Sequence, residues 1–189
     1  MFVFNSEAFA DIPPVRYRPG LDSAFMLASG FKTHRLLESF GFHDGTHVIV
    51  YDYSAPAVAL RRMMVEEWNG VNFGAFFASA RERLAKMFTG SIVYHPWDLT
   101  RDPALVEKEF QSEVNGSFQN AEHWAAHWKK YRALKHSFEP ADILIADEAQ
   151  RLIASHAKGN ALIWISDIFN SPNADGKMSW ERRKLAYDT

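Results

Sequence analysis

Asp52 is the residue whose type and position most directly suggest chemistry. It follows Val48, Ile49, Val50 and Tyr51, a run without polar interruption, which is the pattern of a strand buried on both faces of a parallel sheet. A carboxylate at the carboxyl end of such a strand can accept two hydrogen bonds from the vicinal diol of a ribose. An Asp in that place can equally cap the helix that follows, and the spacing leaves both duties open. Other polar sites stand at comparable places: Ser29 and Gly30 after the apolar AFMLA, Asp98 after SIVYHPW, and Asp167 with Asn170 after ALIWI. Gly30 and Asp52 lie 22 positions apart, close to the roughly 20 that separate a cofactor turn from its ribose acid in a βαβ unit.

The elements that must position these residues follow from hydrophobic periodicity. AFMLA at 24–28 predicts a strand. Leu36, Leu37 and Phe40 supply the apolar face of a helix over 32–40, which Gly41 ends. After Asp52, Ser54 is an N-cap candidate and Pro56 falls in the first turn. Ala57, Leu60, Met64 and Trp68 then recur at helical spacing, with Arg61, Arg62, Glu66 and Glu67 largely on another face. Phe76, Phe77, Ala80, Leu84 and Met87 suit a helix over 73–87.

A third strand is expected over 91–97, and a helix capped by Asp102, with Pro103 at its first position, runs to about Val114. Trp124, Trp128 and Tyr131 mark a helix over 121–134, and core packing is the commoner use of such a stripe. Pro140 opens a helix that ends near Gly159, a fourth strand covers 161–165, and a short basic helix covers 178–186. The whole of 1–189 reads as a single α/β domain. Residues 1–20 form an N-terminal arm, and 102–158 form a helical insertion before the fourth strand.

Composition narrows the function classes. A hydrophobic fraction of 47%, with 15 Phe and 6 Trp, predicts a folded globule. The formal net charge of −2 gives no strong nucleic-acid signal and no pull toward an anionic membrane. The absence of cysteine excludes disulfides, thiolate metal sites and thiol nucleophiles. The N-terminus lacks the basic and apolar regions of a signal peptide, and no apolar run reaches the roughly 18 residues of a membrane span. A cytoplasmic protein is therefore expected.

Other constellations are weaker. His123 and His127, four apart, share a helix face, but no glutamate lies between them and no third ligand is evident, so no metal is expected. Ser29 and Ser166 lack a nucleophile elbow. There is no phosphate-binding lysine motif. The basic residues Arg182, Arg183 and Lys184 suit a solvated face.

Apolar strands with polar carboxyl ends, alternating with helices, point to an open α/β sheet whose ligand lies outside those ends. With Ser29-Gly30-Phe31, VIVYDYS and SDIFN in place, the chain resembles the Rossmann-like methyltransferases that use S-adenosylmethionine. The resemblance covers about Ala24 to Pro172. It implies a three-layer, mainly parallel sheet, of which four strands are counted here, or five with the arm, where the family has seven. The remaining strands would come from a larger chain or from another copy.

It also implies that Ser29 and Gly30 pass the methionine part, that Asp52 holds the ribose, with Ser54 beside it, and that Asp98 approaches the adenine. Asn170 would face the substrate, and Asp167 would orient or deprotonate a small-molecule methyl acceptor. The alternative is a non-catalytic Rossmann-like interaction or assembly module of a larger protein. The single glycine after the first strand and the low strand count favour it. A dinucleotide such as NAD is a third candidate ligand.

Overall fold

The computed structural model describes Phe4 and residues 20–89 and 102–165. The chain enters the sheet at β1 (Leu21–Leu27), crosses through α1 (Lys32–Phe40) and returns parallel to it as β2 (Phe42–Asp52). Helices α2 (Ala55–Glu67), α3 (Phe73–Met87), α4 (Pro103–Ser117) and α5 (Ala121–Arg132) precede β3 (Lys135–Pro140). After α6 (Ala146–His156), β4 (Ala161–Ile163) pairs with β1 on the side away from β2. The described sheet has the order β3-β2-β1-β4 with every pairing parallel. It is an α/β arrangement compatible with a Rossmann-like sheet, in which the chain reverses direction across β1.

Alternation along the strands divides the core. Ala24, Met26, Val48 and Val50 join one apolar cluster with Leu36, Leu37, Met64, Trp68 and Trp128. Phe25, Leu27, Ile49 and Tyr51 join another with Ala141 and Leu152. Successive strand residues point to opposite faces, and both sets are apolar. The first cluster is largely aromatic. Phe31 lies 5.0 Å from Phe73 and from Phe110, and Trp68 lies 5.2 Å from Phe110, measured between ring centroids. The indole N–H groups of Trp68, Trp124 and Trp128 donate to the carbonyls of Val71, Gly70 and Trp68 at 2.7, 2.7 and 3.1 Å, so these rings enter the core without an unmet donor.

Several expectations are corrected. The stretch 102–158 is no helical insertion, because β3 within it completes one side of the described sheet. Pro140 ends that strand instead of opening a helix, and α6 begins six residues later at Ala146. Among the described strands β3 lies at the edge, where a proline's missing N–H breaks no ladder. Arg61, expected on a polar face of α2, is only 2% exposed. The expected strand over 91–97 and the basic helix over 178–186 lie outside the described residues, as do Asp98, Asp167 and Asn170 and all of the arm except Phe4 and Gly20. No helix among the described residues is long and apolar enough to cross a membrane.

Candidate functional site

The carboxyl ends of β1, β2 and β3 are tied together by backbone hydrogen bonds. Leu27 pairs with Tyr51, and the Ala28 N–H donates to the Tyr51 carbonyl at 3.0 Å, so the Ser29-Gly30 turn leaves the sheet beside Asp52. On the other side the Ala141 N–H donates to the Asp52 carbonyl at 3.0 Å. Asp52 thus stands between two strand exits, and it is 8% exposed. Its Oδ1 accepts the Ser54 N–H at 2.9 Å, a local turn of the kind Asp favours. No ion pair among the described residues engages it. Burial pushes its carboxyl up to about 6. The Ser54 N–H opposes that rise and Asp142 adds to it.

Ser54 is the N-cap residue of α2, but its side chain makes no capping bond. Its carbonyl instead accepts the N–H groups of Ala57 and Val58 at 2.9 and 3.1 Å. Asp142, just past β3, repeats the geometry of Asp52, with Oδ1 accepting the Leu144 N–H at 3.0 Å, while its own N–H donates to Glu148 at 2.7 Å.

Ser29 is half-buried and Gly30 buried. Gly30 has φ +71°, a left-handed conformation that glycine adopts without steric cost. The buried Arg61 side chain holds this turn from below. Its Nε donates to the Ala28 carbonyl at 3.0 Å, and its Nη2 donates to the Gly30 carbonyl. At the start of α1 the Phe31 N–H donates to the Glu113 carboxylate at 3.1 Å. The first free amide of the helix, which in nucleotide-binding folds faces a phosphate, is therefore met by the chain's own acid. Burial raises the Glu113 carboxyl to about 8, held back by the Phe31 N–H and by Arg61 and Lys32, with Glu109 adding to the rise.

Behind the turn lies a buried row of imidazoles. Arg61 Nη1 meets His34 Nε2 at 3.2 Å, His34 Nδ1 meets His127 Nε2 at 3.2 Å, and His127 Nδ1 meets Glu38 Oε2 at 3.0 Å. The other Glu38 oxygen meets His123 Nε2 at 2.9 Å. Burial above all lowers His34 well below the usual imidazole range, helped by His127, Arg61 and His136. Burial likewise lowers His127, against the pull of Glu38. The hydrogen bond from His127 takes the lead in holding Glu38 down at about 2. His123 and His127 do share a helix face, and what they share is this carboxylate. Among the described residues no group of three His, Cys, Asp or Glu side chains has the arrangement of a metal site.

Of the residues singled out in sequence, the structure brings Ser29, Gly30, Asp52 and Ser54 together at one sheet end, while Asp98, Asp167 and Asn170 fall outside the described residues. Arg61, His34, Glu38 and Glu113 escaped sequence reasoning. The one signal available for the first was its place beside Leu60 and Met64. No family model matches the chain, and neither a curated protein nor a solved structure matches it significantly.

Proposed function

We propose that this is a three-layer, Rossmann-like nucleoside-binding domain of the S-adenosylmethionine-dependent methyltransferase type, acting on a small-molecule acceptor. The observation that carries the reading is the buried carboxylate of Asp52 at the exit of β2, beside the glycine turn of β1, in a sheet of order 3-2-1-4. One Asp52 oxygen is used locally and no cation neutralises the group within the described residues, so a vicinal diol donating to it would relieve a desolvated charge.

The α1 N-terminus favours a phosphate-free nucleoside over a dinucleotide. A pyrophosphate seeking the Phe31 N–H would find that donor already taken by the Glu113 carboxyl group. S-adenosylmethionine supplies an electrophilic methyl group when bound. The chain's own part is to hold the ribose at Asp52 and to keep the Ser29-Gly30 backbone close to the methionine portion. Asp98 is assigned to the adenine side, and Asp167 and Asn170 to the acceptor side, where positioning rather than covalent chemistry does most of the work. The packing of Arg61 and Glu113 into the first turn is the observation that supports the second reading, a non-catalytic module.

Calorimetric titration separates the two. S-adenosylmethionine should bind the wild-type chain, bind Asp52→Ala at least tenfold more weakly, and outcompete NAD. Absence of heat with millimolar S-adenosylmethionine would support the module.

A further inference from the structure

The Ser29-Gly30 turn is fixed by hydrogen bonds whose directions are all determined once one donor is known. Arg61 has only donors to offer, so His34 Nε2, 3.2 Å away, must accept and carries no proton. A neutral His34 then has its proton on Nδ1, which donates to His127 Nε2 at 3.2 Å. His127 in turn must keep its proton on Nδ1 and donate to Glu38 Oε2 at 3.0 Å. Glu38 receives a second bond from His123 Nε2 at 2.9 Å, and His123 Nδ1 accepts the Gln119 N–H at 3.4 Å. Every nitrogen along the row has one role, and no step requires a second proton on His34 or His127.

The row joins a partly exposed carboxylate on α1, through α5, to the guanidinium that donates to the Ala28 and Gly30 carbonyls. His34, His127 and Arg61 are each 4% exposed or less, and buried polar rows of this kind could often be replaced by apolar packing at no loss of stability. Their presence in this core, each hydrogen-bonded to the next, points to orientation. With Nε and Nη2 donating to the two carbonyls, the third bond from Nη1 to the His34 lone pair engages the remaining nitrogen and holds the guanidinium from its far side as well.

We propose that Glu38, His127, His34 and Arg61 are positioning residues for the Ser29-Gly30 turn, with both imidazoles locked as Nδ1–H tautomers. The consequence for ligand affinity rests on the nucleoside reading, while the proton placement and the effect on the turn do not. The groups facing the two imidazoles are Arg61 from α2, Glu38 from α1, His123, Lys130 and Tyr131 from α5, and His136 from β3, besides each other.

The test uses the full chain labelled with 15N at histidine. Long-range proton–nitrogen spectra at pH 7 should show His34 and His127 protonated at Nδ1 only, and an imidazolium or an Nε2–H form of either would overturn the proton placement. In Glu38→Ala the amide signals of Gly30 and Phe31 should move, and Glu38→Gln, which keeps an acceptor for His127 while giving up the one for the outer His123, should return them most of the way to the wild-type positions. Glu66→Ala, on the exposed side of α2, should move neither. Unchanged Gly30 and Phe31 signals in Glu38→Ala would overturn the positioning role.

The affinity for S-adenosylmethionine should fall about tenfold in Glu38→Ala and be restored in Glu38→Gln. Equal affinity in both variants would overturn the link to the ligand. If the wild-type chain takes up no S-adenosylmethionine, the nucleoside reading fails, and the imidazole and amide spectra still decide the positioning claim.

Discussion

Replacing Asp52 by Asn should make the protein more stable, and by an amount that depends on pH. In the unfolded chain this carboxyl titrates near 3.8, and in the folded protein burial raises it to about 6. The unfolded state therefore binds fewer protons than the folded state between those values, and wild-type stability falls as pH rises through that window. A difference of about two units, at 1.36 kcal/mol each, costs the folded protein about 3 kcal/mol once pH exceeds 6. Asn has nearly the same shape and keeps an oxygen for the Ser54 N–H, but it has no charge to desolvate.

Urea unfolding of both proteins at pH 4, 5, 6 and 7 gives the comparison, with stability taken from the midpoint and a common slope. The advantage of Asp52→Asn should grow from about 0.5 kcal/mol at pH 4 to about 3 kcal/mol at pH 7. Glu113, also raised by burial, is present in both proteins and cancels. A difference that stays flat across this range would refute the claim that burial disfavours the ionised form of Asp52 in the folded protein.

Three structural predictions accompany it. Phe110→Ala, at a ring 1% exposed and packed on Phe31, Trp68 and Phe73, should lower unfolding stability by about 3–5 kcal/mol in urea. Gly74→Ala places a methyl 2.0 Å from the Pro103 carbonyl oxygen, so α3 and α4 must part. A loss of about 1–3 kcal/mol is expected, read as a lower urea midpoint. Glu67→Gln removes the ion pair to Arg83, 2.5 Å long but on the surface, and should leave the midpoint unchanged within error.

The sequence made some elements legible because periodicity and punctuation agreed there. The helices over 32–40 and 73–87 appear with those bounds, since apolar spacing and a terminal Gly41 or the Asn69-Gly70 break point the same way. Strand β3 was missed because KHSFEP has no apolar run and most of its residues are half-exposed. Its place is set by pairing with β2, a tertiary effect that local pattern does not carry.

Asp52 was legible as a strand-end acid. The capping duty that the spacing also allowed is not what it performs: its Oδ1 accepts the Ser54 N–H in a local turn, Ser54 is itself the cap residue, and no side chain caps that helix end. The Arg61 row was hidden for a different reason. His34 and Glu38 on α1 meet His127 on α5 across 93 and 89 positions of sequence, and nothing in either segment alone marks them as partners.

The most direct measurement compares adenosine with 2′,3′-dideoxyadenosine on the wild-type chain and on Asp52→Ala. If the buried carboxylate receives the ribose hydroxyls, the wild type should bind adenosine at least tenfold more tightly than the dideoxy analogue, and the variant should bind the two alike. Equal affinities on the wild type would contradict the account.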